Sequence, residues 1–70
     1  MERKNVSSSA LSSVGYDRSN QVLEIEFKSG GIYQYYDVPA EVFEGLMSAS
    51  SHGEYFYKYV ENIYYHRKID

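Results

Sequence analysis

Leu23-Glu24-Ile25-Glu26-Phe27-Lys28-Ser29-Gly30-Gly31-Ile32-Tyr33-Gln34-Tyr35-Tyr36 is the stretch that decides the fold. Its first six residues alternate apolar and charged side chains. That period of two puts Leu23, Ile25 and Phe27 on one face of a strand and Glu24, Glu26 and Lys28 on the other. Ser29-Gly30-Gly31 has turn chemistry, and the aromatic run 32–36 reads as a strand returning antiparallel to the first. Loop length then selects the buried face, because a one-residue slip moves every side chain to the opposite side. A two-residue loop at Ser29-Gly30 would set Gln34 against Ile25 and bury its amide, costing roughly 1–3 kcal/mol if unpaired. A three-residue loop with a left-handed glycine instead aligns Tyr33 and Tyr35 with Ile25 and Phe27. Only two hydroxyls, which can reach the sheet edge, then need partners. The three-residue loop is expected.

Working outward, residues 11–16 read as a weaker strand closed by the turn formers Asp17-Arg18-Ser19-Asn20. A tight turn through Arg18-Ser19, or with Tyr16 opposite Gln21, sets Val14 opposite Leu23 on the apolar face. Residues 1–9 are polar and serine-rich and are expected to be a flexible leader to a single domain spanning 10–70. Beyond the hairpin the period becomes helical. Pro39 suits a first helical turn, and Val42, Phe43, Leu46 and Met47 form an apolar stripe. Ser51-His52-Gly53-Glu54 fits a capping box opening a second helix, in which Phe56, Val60 and Ile63 recur at i, i+4, i+7. Residues 64–70 show no period. The predicted class is α+β, a three-stranded antiparallel β-meander followed by two α-helices packed on one face. The predicted core is Val14, Leu23, Ile25, Phe27, Tyr33 and Tyr35, covered by Val42, Leu46, Phe56 and Val60.

Composition narrows the functional classes. The 70 residues include no cysteine, and nine of the hydrophobic residues are tyrosines. Such a chain must stabilise itself on a small, tyrosine-rich core without disulfides. No metal-ligand spacing and no cofactor motif is present, so no metal site or cofactor is expected. No run approaches the ~20 apolar residues of a membrane span, and the charged start, Met1-Glu2-Arg3-Lys4-Asn5, leads into serines instead of a signal-like apolar region. A cytoplasmic location and no membrane partner are expected, and the sequon Asn5-Val6-Ser7 is then incidental. The net charge of −3 opposes non-specific nucleic-acid binding.

Several residues recur in one order: Val14-Gly15-Tyr16-Asp17, Leu23-x-Ile25-x-Phe27-x-Ser29-Gly30, Tyr33-x-Tyr35, Val38-Pro39 and Ala49-x-Ser51-x-Gly53-x-Tyr55-Phe56. In this combination the chain resembles the KTSC domain family over about residues 9–69. That family takes its name from the C-terminus of some lysyl-tRNA synthetases and includes small stand-alone bacterial proteins. Tyr33-Gln34-Tyr35 matches its Tyr-x-Tyr hallmark. The resemblance implies no established activity, and the synthetase fusion suggests RNA binding. Glu61 and Asn62 depart from the more basic pattern expected after Phe56.

Three kinds of site are weighed. For RNA, the candidates are Lys58, Tyr64, Tyr65, His66, Arg67 and Lys68, where aromatics and cations interleave. Tyr33 and Tyr35 are assigned to the core, since in the alternative register they would share a face with Glu24 and Glu26. For protein partners, or a monomer in weak exchange with a homo-oligomer, the candidates are tyrosine-rich surface and an open strand edge at residues 32–36. For catalysis there are no candidates: no serine, histidine and acid can be placed together by spacing. His52 reads as a surface histidine, Glu24 and Glu26 as a solvated strand face, and Gly30-Gly31 as a hairpin turn. A non-catalytic small domain is expected, either binding RNA or serving as an interaction module.

Overall fold

The computed structural model describes residues 1–70 as β1 (Arg3–Asn5), β2 (Leu11–Asp17), β3 (Val22–Phe27), β4 (Ile32–Tyr35), α1 (Ala40–Ser48), α2 (His52–Tyr59) and β5 (His66–Lys68). The strands form one antiparallel sheet in the order β1-β2-β3-β4-β5. The class is α+β as expected, but the sheet has five strands where the sequence suggested a three-stranded meander. Both additions are three-residue edge strands in segments that lack hydrophobic alternation.

The central hairpin follows its turn chemistry. Phe27 N–H donates to the Gly31 carbonyl at 3.1 Å and Gly30 N–H to the Phe27 carbonyl at 3.0 Å, enclosing a three-residue loop. Gly30 and Gly31 have φ of 108° and 92°, a region costly for side-chain-bearing residues. The loop is residues 28–30, so Ile25 lies opposite Tyr33 and Leu23, in place of Phe27, takes part opposite Tyr35. The expected partners shift by two residues, and both tyrosines keep to the apolar face.

The first hairpin is wider than predicted. Val14 faces Ile25 and Tyr16 faces Leu23, a shift of two residues that keeps the buried face but corrects the partners. The Asp17 carboxylate accepts from the Ser19 and Asn20 backbone N–H groups and from Asn20 Nδ2. Gln21 adopts φ of 56°, so the turn needs four residues instead of two. A register shift between Leu11 and Ser13 lets Leu11 and Val14, three apart, share the buried face.

The buried apolar residues are Leu11, Val14, Leu23, Ile25, Tyr35, Val38, Leu46, Phe56 and Val60. Leu11 and Val38 join the predicted set, whereas Phe27, Tyr33 and Val42 pack against it only half-buried. Phe56 binds the layers together, meeting Phe27 and Tyr35 edge-to-face at 5.3 and 5.4 Å. Tyr16 stacks on Phe43 at 4.8 Å and donates its hydroxyl hydrogen to the Val38 carbonyl. The Ser51 hydroxyl caps α2 by accepting from Glu54 N–H at 3.2 Å. That helix stops at Tyr59, short of Ile63, which is 58% exposed. Asn62, at φ of 66°, has already turned the chain out of the helix.

The leader expected to be flexible contains β1, and the aperiodic tail contains β5. Tyr36 N–H donates to the Tyr65 carbonyl at 2.9 Å and Ile69 N–H to the Ile32 carbonyl at 2.8 Å. Residues 32–36 are therefore an inner strand, and the open edge suggested there is closed. No helix is long and apolar enough to cross a membrane.

Candidate functional site

The strand pairings sort side chains onto two faces, since cross-strand partners project to the same side. The helices cover the face carrying Val14, Leu23, Ile25, Tyr33 and Tyr35. Across from Tyr33 and Tyr35 on that side lie Lys68 and His66. The uncovered face carries Arg3, Ser13, Gly15, Glu24, Glu26 and Gln34, with Arg67 opposite Gln34.

A hydrogen-bonded chain crosses this uncovered face. Arg3 Nε donates to Ser13 Oγ at 2.9 Å, and the Arg3 guanidinium pairs with the Glu24 carboxylate. Gln34 Nε2 donates to the other Glu24 oxygen at 2.8 Å, and the Tyr36 hydroxyl donates to Gln34 Oε1 at 2.9 Å. Ser13 Oγ donates to Glu26 Oε1 at 2.9 Å. Glu24 is only 5% exposed, which corrects the solvated strand face. A buried carboxylate is tolerated because its oxygens are paired and hydrogen-bonded. Gly15 makes room: a Cβ there would lie 2.8 Å from the Glu2 carbonyl oxygen and 3.0 Å from Arg3 Cγ.

The six residues suggested for RNA do not form one cluster. Lys58 lies beside Tyr55 and Tyr59 along α2, at a shallow depression near Ser51. Tyr64 packs against the core. His66 and Lys68 belong to the helix-side face, while Arg67 projects to the uncovered one. Tyr65 pairs with Tyr36, ring centroids 5.8 Å apart, and is 75% exposed. Tyr36, Tyr65 and Arg67 thus form an aromatic and cationic platform beside Gln34. Sequence spacing could not assign Tyr36 to it, because the contact requires the β4–β5 register.

His52 is more than a surface residue. Its Nδ1 lies 2.7 Å from the Leu46 carbonyl oxygen, tying α2 to the end of α1. No three His, Cys, Asp or Glu side chains converge to hold a metal ion.

On the helix side, a groove of about 360 Å³ opens between the β3–β4 turn and the end of α2, with Tyr33, Tyr35, Tyr57 and His66 among its walls. Burial pushes the Tyr35 hydroxyl above the ordinary tyrosine range, and the negative charge of Glu61 adds to this.

The KTSC domain profile matches residues 7–65. The chain belongs to the KTSC domain family. A crystal structure of a KTSC domain protein from Yersinia pestis superposes with a TM-score of 0.97 at 42% identity, covering 99% of this chain and 97% of that one. An uncharacterised protein of Stutzerimonas stutzeri is 48% identical over 56 residues, which make up 80% of this chain and 79% of the relative. A lysine–tRNA ligase of Nostoc is 39% identical over 54 residues, 77% of this chain but only 10% of the ligase. In this KTSC domain both tyrosines of the Tyr-x-Tyr signature lie on the helix-covered face, Tyr35 in the core and Tyr33 at its margin.

Proposed function

We propose that this KTSC domain is a non-catalytic module that binds single-stranded RNA weakly on the uncovered sheet face. The observation that carries this reading is the exposed Tyr65 ring beside Tyr36, with Arg67 projecting from the same face. Unpaired bases stack on such rings, while a guanidinium two residues along contacts phosphate. The acidic composition counts less here than it does overall, because Arg3 pairs with Glu24 and Arg67 on the same face balances the remaining charge of Glu26. Similarity to a tenth of the Nostoc lysine–tRNA ligase adds support, since that enzyme handles tRNA. Of the residues first suggested, Tyr65 and Arg67 carry the contact. Lys68 adds charge along the same edge strand, whereas His66, on the helix-side face, and Lys58 and Tyr64 stand outside the contact.

An NMR titration of labelled protein with short single strands and tRNA, at low and moderate salt, tests the proposal. Shifts confined to Tyr36 and residues 65–68 that fade as salt rises are expected. Tyr65→Ala removes a stacking surface and weakens binding by about 1–3 kcal/mol. Silence at low salt refutes RNA binding. A second reading, a protein-interaction surface, rests on Tyr59 and Ile63, exposed by 52% and 58% on the helix side. Concentration-dependent shifts there without RNA are its signature.

A further inference from the structure

The groove on the helix side is separate from the RNA platform, on the opposite face of the sheet. Tyr33 and Tyr35 enter it from β4, His66 from β5, and Tyr57, Glu61 and Asn62 from the last turn of α2 and the residues beyond it. Tyr35 is 4% exposed as a residue. No hydrogen bond within the chain uses its hydroxyl, yet no buried side-chain polar atom lacks a partner. That hydroxyl therefore emerges at the groove surface, unpartnered, near Glu61, Tyr33 and Tyr57.

This arrangement selects for charge. Glu61 supplies a carboxylate, and the carbonyl end of α2 adds partial negative charge to the same wall. Phenol oxygens accept hydrogen bonds but carry no charge at neutral pH. An anion meets repulsion there, and a cation with several N–H groups meets acceptors. Lys68, paired with Tyr33 and with its Cε near Gly31, is not among the groove's lining residues. Aromatic walls further favour a flat, weakly hydrated cation over a compact, strongly hydrated ammonium. We propose that this groove is a binding site for a guanidinium group, held by Glu61 in a charge-assisted pair and by the hydroxyl of Tyr35, with Tyr57 as a stacking wall.

The volume of about 360 Å³ suits a side-chain-sized ligand. The inference does not depend on RNA binding, because the two sites share no residue that either requires.

The test is an NMR titration of the tyrosine ring signals with Nα-acetyl-arginine amide, its lysine counterpart and its neutral citrulline isostere. Selective movement of Tyr33, Tyr35 and Tyr57 with the arginine compound is expected. Glu61→Gln weakens that response about tenfold, the scale of one charge-assisted bond. Tyr35→Phe weakens it severalfold while leaving the fold intact, since its hydroxyl has no partner inside the chain. Free arginine binding more tightly than the blocked compound assigns the guanidinium to a small molecule, and tighter binding of an arginine tripeptide assigns it to a protein. An equal response to citrulline, no response at millimolar arginine amide, or an unchanged response in Glu61→Gln overturns the proposal.

Discussion

Gly15→Ala tests how the sheet seals its open face, because two effects of opposite sign compete at that position. Gly15 has ordinary strand backbone with no positive φ, so alanine is conformationally acceptable. On that ground alone the substitution stabilises by roughly 0.5–1 kcal/mol, through a less free unfolded chain. The added Cβ, however, would lie 2.8 Å from the Glu2 carbonyl oxygen and 3.0 Å from Arg3 Cγ. A backbone contact cannot be relieved by a rotamer change, so β1 must move. Moving it forfeits the Arg3–Ser13 hydrogen bond, worth about 1 kcal/mol. It also breaks the Arg3–Glu24 pair. An unpaired buried carboxylate costs up to about 3–5 kcal/mol, but a displaced β1 readmits water and leaves about half of that. The net expectation is a destabilisation of about 1–3 kcal/mol, with Tm falling about 4–8 °C for each kcal/mol. Urea denaturation measures the loss, and hydrogen exchange at residues 3–6 locates it. Arg3→Ala placed on top of Gly15→Ala should add little, because both act through β1. A Gly15→Ala protein as stable as the parent, with β1 amides still protected, refutes the reasoning.

Three further outcomes are expected. Leu46→Ala, at a fully buried site between helix and sheet, lowers stability by about 2–5 kcal/mol in a urea titration. His52→Ala removes the 2.7 Å link to the Leu46 carbonyl and costs about 1 kcal/mol, seen as a lower urea midpoint at unchanged slope. Burial raises the hydroxyl pKa values of Tyr35, Tyr16 and Tyr55 above their unfolded value of 10.0. The folded state then holds protons that the unfolded chain releases, so this stability is present below pH 10.0 and falls as pH rises beyond it. Tyr35→Phe should flatten that alkaline decline while leaving stability at neutral pH nearly unchanged, as followed by circular dichroism from neutral pH upward.

The parts of the fold that could be read in advance are those whose cause is local. Alternation in residues 23–28 assigned the buried face of β3, and the glycines after Ser29 set the loop that turned Tyr33 and Tyr35 inward. Ser51 and Glu54 marked the start of α2. Both hairpins keep the expected face but shift partners by two residues. In the first, the Asp17 carboxylate, by capping three donors, supports a wider turn than composition suggests, and in the second the loop takes in Lys28. Leu11 escaped the predicted core because the bulge after it breaks the period of two on which that prediction rests. In the candidate site, Tyr65 and Arg67 were visible as an aromatic beside a cation. Their separation from His66 and Lys68 was not, because it depends on the strand character of β5.

By itself, then, the sequence determined the central hairpin, the two helices and most of the residues that fill the core, because hydrophobic period and turn chemistry act over a few neighbouring residues. Only the tertiary structure decided the two edge strands, the burial of Glu24 and the meeting of Tyr36 with Tyr65. Each of these comes from backbone pairing or charge pairing between segments distant in sequence. Arg3 and Glu24 are 21 residues apart, and neither carries a local sign that the other is its partner.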